Sequence, residues 1–139
     1  MSLKYFLIAS TLFALSACQS TAEPELQDIE LTGIWHIEVI AGRPVIDYSP
    51  AQFIFSHNGK FSGNNSCNSF FGRYSLQGSS ITLSPAGSTM KACVDALMNQ
   101  EQRIMTAIPK VTSGQIFKGK GQLVLKDADG KTQFLLSQR

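Results

Sequence analysis

Apolar and polar residues alternate along most of the chain after residue 30, and the period becomes helical only once. From Leu31 to Ile40, Trp35, Ile37 and Val39 fall on one face and His36 and Glu38 on the other, the signature of a half-buried strand. Gly42-Arg43-Pro44 turns the chain, and a second strand, Gln52 to Ser56, points Phe53 and Phe55 inward. At Asn58-Gly59 two loops compete. A two-residue loop sets Phe61 opposite Ser56 and splits the aromatics between faces. A three-residue loop, His57 to Gly59 with a bulge at Gly59, sets Phe61 opposite Phe55 and Gly63 opposite Phe53. The second register gathers all three phenylalanines on one side, so it is the one predicted.

The next hairpin agrees with its own turn. Gly72 to Gln77 and Ser80 to Ser84 flank Gly78-Ser79, and a two-residue loop there pairs Leu76 with Ile81 and Tyr74 with Leu83. Gly87 to Cys93 has weak periodicity and reads as an irregular or short edge segment. From Asp95 the spacing is helical: Leu97, Met98, Glu101, Ile104, Met105 and Ile108 form a stripe, Asp95 is placed to cap the first turn, and Pro109 ends the helix. Two hairpins finish the chain. Gly119-Lys120 pairs Ile116 with Leu123, and Asp129-Gly130 as a type I′ turn pairs Leu125 with Phe134 and Leu123 with Leu136. The fold class that follows is mainly β: an antiparallel, barrel-like sheet of about seven or eight short strands with one α-helix.

The first residues do not fit that pattern. Lys4 followed by the apolar run Tyr5–Leu15 is too short to span a bilayer and reads as a secretory signal. The segment ends Leu15-Ser16-Ala17-Cys18, which resembles the lipobox of bacterial lipoproteins. That resemblance implies cleavage after residue 17, acylation of Cys18 and, with Gln19 rather than aspartate next, a lipid-anchored protein of the outer membrane facing the periplasm. Residues 18–30 carry Glu23, Pro24, Glu25, Asp28 and Glu30 and read as a solvated tether reaching roughly 20 Å. The globular domain is expected over residues 31–138.

Charge narrows the partners. Of 12 basic residues, Lys4 leaves with the leader, so the remaining balance against 10 acidic ones is close to zero. Without Lys/Arg clusters, nucleic acid is not an expected partner. With Cys18 acylated, Cys67 and Cys93 remain in an oxidising compartment, where two thiols of a small domain ordinarily pair. Their loop of about 26 residues is worth nominally about 3.5 kcal/mol. Buried free thiols are the alternative. A metal or redox site has little support, since there is no C-x-x-C and the only imidazoles are His36, on an outward face, and His57, on a turn.

The run Gly63…Cys67-Asn68-x-Phe70-x-Gly72-x-Tyr74, with Gly33-x-Trp35 before it and Thr89-x-x-x-Cys93, Glu101 and Asp129-Gly130 after it, resembles the META-domain family of heat-shock-protein HslJ-like lipoproteins. The resemblance covers roughly Leu31 to Gln138. It implies an all-β envelope domain connected with stress or drug tolerance, and it implies structural rather than catalytic roles for Gly63, Cys67, Asn68, Phe70, Gly72, Tyr74, Cys93 and Glu101. Glu101 has two readings: a carboxylate at the edge of the helix stripe that reaches water, or one partnered by Arg73 or by the Asn68 amide.

No nucleophile-with-base arrangement, paired carboxylates, phosphate-cradling loop or metal set is present in the motifs. The expectation is therefore no catalytic residue, no metal and no cofactor. The favoured function is a non-catalytic lipoprotein, held to the membrane through Cys18, that supports the envelope through contacts with another envelope protein. The alternative is a lipocalin-like barrel in which Trp35, Phe53, Phe55, Phe61 and Phe134 line a cavity for an apolar ligand, or one that inhibits a protease. Against the cavity stands the size of such a barrel, whose interior side chains normally fill.

Overall fold

The computed structural model describes Leu26 and residues 28–138. The expected signal segment, Cys18 and most of the expected tether lie outside the described residues. The elements run α1 (Asp28–Leu31), β1 (Gly33–Ile40), β2 (Arg43–Pro44), β3 (Gln52–Phe55), β4 (Lys60–Asn64), β5 (Ser69–Gln77), β6 (Ser80–Ser88), α2 (Asp95–Ala107), β7 (Ser113–Phe117), β8 (Gln122–Lys126) and β9 (Thr132–Ser137). One antiparallel sheet of nine strands follows chain order, except that β2 flanks β1, and a β1–β9 pairing closes it into a barrel-like ring. The ring is uneven: β5 and β6 share a long ladder, whereas β6 and β7 are joined at the single pair Ser80–Ser113 with its flanking backbone bonds.

The predicted registers are the observed ones. Phe55 faces Phe61, Phe53 faces Gly63, Leu76 faces Ile81, Tyr74 faces Leu83, Ile116 faces Leu123, and Leu125 faces Phe134. The β8–β9 turn differs in type. A type I′ turn needs positive φ at both central residues, but only Gly130 has it (φ 78°), and a register shift beside Leu125 absorbs the extra residue. Asp127 Oδ1 accepts the backbone N–H groups of Asp129 and Lys131 and so holds that wider turn. In β1 a bulge between Ile37 and Val39 turns Val39 outward and brings Ile40 in, correcting the simple alternation.

The interior is solid. Trp35, Phe53, Phe55, Phe61 and Phe134 are each at most 1% exposed. The Phe53 ring meets Phe61 edge-on at 5.0 Å, Phe134 at 4.9 Å and Phe70 at 5.9 Å. Each such pair adds about 0.5–1.5 kcal/mol beyond the burial of its area. The aromatic residues that could have lined a ligand chamber instead occupy it. Gly63 and Gly72 allow the strands this proximity: a Cβ on Gly63 would lie 2.0 Å from the Gln52 carbonyl oxygen, and one on Gly72 would lie 2.2 Å from that of Ser84.

Both ends of the ring are covered. At one end, Leu31 is fully buried, the Trp35 indole N–H donates to the Leu31 carbonyl at 2.7 Å, and Glu30 pairs with Lys118. Leu26, placed in the tether by its neighbours' polarity, is 6% exposed. Its N–H donates to the Gly78 carbonyl, and its side chain lies over Gly114 beside the β6–β7 seam. The packed domain therefore starts before residue 31. At the opposite end, α2 lies across the strand ends and the β4–β5 turn.

Candidate functional site

The residues singled out by sequence separate into two groups. Cys67, Cys93, Asn68 and Glu101 meet under α2. Phe70 joins the aromatic core, while Tyr74 lies towards the α1 end, where its hydroxyl donates to the Ser56 carbonyl at 2.8 Å. Gly63 and Gly72 act within the sheet, as described above.

The Cys67–Cys93 disulfide, with Cα atoms 5.9 Å apart, ties the β4–β5 turn to the segment leading into α2. Asn68 is the hub beside it. Its Oδ1 accepts the Thr89 hydroxyl at 2.8 Å and the Lys91 N–H at 2.7 Å, and its Nδ2 donates to Glu101 Oε1 at 3.0 Å and to the Lys91 carbonyl at 3.3 Å. Asn65 Nδ2 donates a second bond to Glu101 Oε1, also at 3.0 Å, and Asn65 Oδ1 accepts the Asn68 N–H at 2.7 Å. Glu101 is therefore the partnered carboxylate. Of the two partners expected, Asn68 bonds the carboxylate and Arg73 does not: the Arg73 guanidinium donates to the Asn58 carbonyl on the far turn.

A second knot lies next to the first. Gln100, 2% exposed, accepts the Ile46 N–H on Oε1 and donates from Nε2 to the hydroxyls of Ser49 and Ser66. Ser66 holds a φ of 97°, sparsely populated for a side chain of its kind, and its N–H is taken up by Asn64 Oδ1 at 2.8 Å. Sequence reasoning missed Gln100, Asn65, Ser49 and Ser66 as members of this site, and it noted Thr89 only as part of the family motif. A signal for Gln100 existed: it stands four residues before Ile104 and seven before Ala107, on the face that is buried. Leu97 and Met98, assigned to that face, lie at its edge, and Met98 is 38% exposed. Asp95 does not cap the helix: Val94 occupies the N-cap without a side-chain bond, and Asp95 contributes only its charge to the first turn.

An open cleft of about 410 Å³ borders this network, lined by Asn68, Thr89, Met90, Lys91, Met98 and Glu101 among others. It offers a carboxylate, an ammonium and two thioethers, but no nucleophile held by a base. Among the described residues no group of three His, Cys, Asp or Glu side chains is arranged to hold a metal ion. His36 and His57 lie apart, the latter 3.2 Å from the Thr32 hydroxyl. Among the described residues no helix is long and apolar enough to cross a membrane.

A helix-capped antiparallel ring with a filled interior and a disulfide-braced polar end is thus the class of domain that the geometry defines. The chain belongs to the META domain family, whose model matches residues 27–139. No curated protein matches it. Among solved structures, a protein from Burkholderia xenovorans determined by NMR aligns with a TM-score of 0.61 at 17% identity, covering 99% of both chains. A duf4847 family protein from Bacteroides vulgatus, determined by crystallography, aligns with the same TM-score at 14% identity, covering 81% of this chain and 96% of its own. A further NMR structure aligns at 22% identity and a TM-score of 0.61. At these identities the likeness is one of fold.

Proposed function

We propose that this META domain is a non-catalytic module of the bacterial envelope, acylated at Cys18 and held at the outer membrane facing the periplasm, that works through contact with another envelope protein under stress. The observation that carries the reading is the combination of an occupied interior with an exposed apolar fringe at the disulfide end. Met90 is 96% exposed, Val94 and Phe71 are each 62% exposed, and Met98 completes the set. Methionine suits such a surface because its flexible thioether adapts to varied partners. The short loop that carries Met90 is pinned by the disulfide and by Asn68, so little conformational freedom is lost on docking.

Two measurements test the parts separately. Cys18→Ser should leave the fold intact and release the protein from the membrane fraction; unchanged fractionation would remove the anchor. A photo-crosslinking side chain at Met90 or Met98 in intact cells should give one reproducible protein adduct that is missing when the same group is placed at Thr82, on the outer face of β6. Equal, diffuse labelling from all three positions would remove the contact surface.

A further inference from the structure

A separate groove of about 290 Å³ runs between the second half of α2 and the rim of the ring, with Arg103, Gln102, Thr106, Lys110 and Gln133 on its walls and Ala41 at its mouth. Its charge is of one sign: no aspartate or glutamate lines it. Arg103 Nη2 donates to the carbonyl oxygens of Ile40 at 2.9 Å and Arg43 at 3.4 Å, which fixes the guanidinium against the β1–β2 turn. Neutral carbonyls do not cancel its charge. Burial, and then the nearby Arg43 guanidinium, push the Arg103 pKa down, the mark of a cation held without a counter-charge.

Among the described residues, Arg43, Arg103 and Lys110 form no ion pair. The acid that approaches the groove is Asp127, through its 2.8 Å bond from Gln133 Nε2, and its carboxylate is already engaged by the N–H groups of its own turn. Gln102 and Thr106 add neutral donors on the same helix face. Positive charge concentrated with donors and unmatched by carboxylate is the arrangement that binds oxyanions. The volume sits at the small end of ligand cavities, which suits a phosphate group with a short attached fragment lying on Ala41 and Ala107.

We propose that this groove is a binding site for a phosphate group, carried by a soluble phosphate ester or by a lipid headgroup, with Arg103 and Lys110 as its cationic ligands. Carbonyls at the C-terminal end of α2 oppose an anion, so affinity comes from the side chains and falls as ionic strength rises. The proposal is independent of the docking surface around Met90, and the failure of either leaves the other standing.

The test is an NMR titration of the Cys18→Ser protein, which keeps the fold and removes the proposed acyl anchor, with inorganic phosphate and with chloride at matched ionic strength as control. Beside it stands flotation of the same protein with phosphatidylglycerol vesicles and with phosphatidylcholine vesicles. Phosphate should shift the Ala41, Gln102 and Lys110 region saturably where chloride does not. Lys110→Gln, at an exposed position outside any described bond, should weaken binding about tenfold, the loss of one charge-assisted hydrogen bond. Arg103→Gln should weaken it at least as much. Saturation by phosphate without selective flotation supports a soluble ester, and flotation confined to phosphatidylglycerol supports a lipid headgroup. Absence of both responses, equal shifts with chloride, or binding undiminished by Lys110→Gln would overturn the site.

Discussion

The two ends of this ring are closed by different means. The α1 end is stoppered by hydrocarbon: Leu26 and Leu31 are buried, Leu31 fixed by the Trp35 indole hydrogen bond and Leu26 by its own N–H bond to the Gly78 carbonyl. The α2 end also buries Ile104, Ala107 and Ile108, but it adds what the α1 end lacks, a layer of buried amides and hydroxyls from Asn65, Ser66, Asn68 and Gln100 with a disulfide beside them. Hydrocarbon burial is non-directional and tolerates small shifts. A buried polar network is directional and costly when any member is missing, so it fixes one arrangement of helix, turn and loop. The apolar end supplies adhesion and the polar end supplies geometry. The exposed apolar fringe and both surface grooves lie at or near the end whose geometry is fixed.

Substitutions can sharpen or break that contrast. Leu31→Ala should cost most, about 4 kcal/mol, because it leaves a void where side chains were fully enclosed; denaturant unfolding would measure it. A loss below 1 kcal/mol would mean that the α1 end is not part of the cooperative core. Cys67→Ser and Cys93→Ser should each cost about 3.5 kcal/mol for a bridge spanning a sequence separation of 26, with the double variant no worse than either. Additive losses would break the crosslink.

Gln100→Ala should cost about 2 kcal/mol, since the Ile46 N–H loses its acceptor while Ser49 and Ser66 still bond each other. It should raise hydrogen exchange in 46–51 and 65–68 while leaving the α1 end protected. The smallest effect is one of pH. Asp127 has its pKa lowered, first by the Lys131 N–H bond, so its contribution is fully present above the ordinary carboxylate value and is lost as pH falls through the depressed folded value. Thermal melts below pH about 4 should therefore lose a small increment in the native protein that is missing in Asp127→Ala.

The sheet was legible because each hairpin carried two agreeing signals. At Gly78-Ser79 the turn and the apolar pairs Tyr74–Leu83 and Leu76–Ile81 demand one register, and a slip by one residue would turn every side chain over. The polar end was half legible. Asn68 and Glu101 stood out as an amide in a glycine-rich run and a carboxylate beside an apolar stripe. Gln100 did not, because periodicity reads apolar residues as inward, and a buried amide is explained by partners 34, 51 and 54 residues away. Leu26 was hidden for a related reason: its acidic neighbours outweighed one leucine, whereas the seam it fills is created by strands far along the chain.

That leucine has a mechanical meaning. Leu26 is the first described residue, and it is lodged at the joint where β6 and β7 share a single ladder pair. Tension applied from the amino-terminal side of Leu26 would therefore load the thinnest joint of the ring directly, by drawing out its wedge, before it reached the crosslinked end. A pull from that side would begin to unzip the molecule at one seam, so the first buried side chain of the domain is also its point of yield.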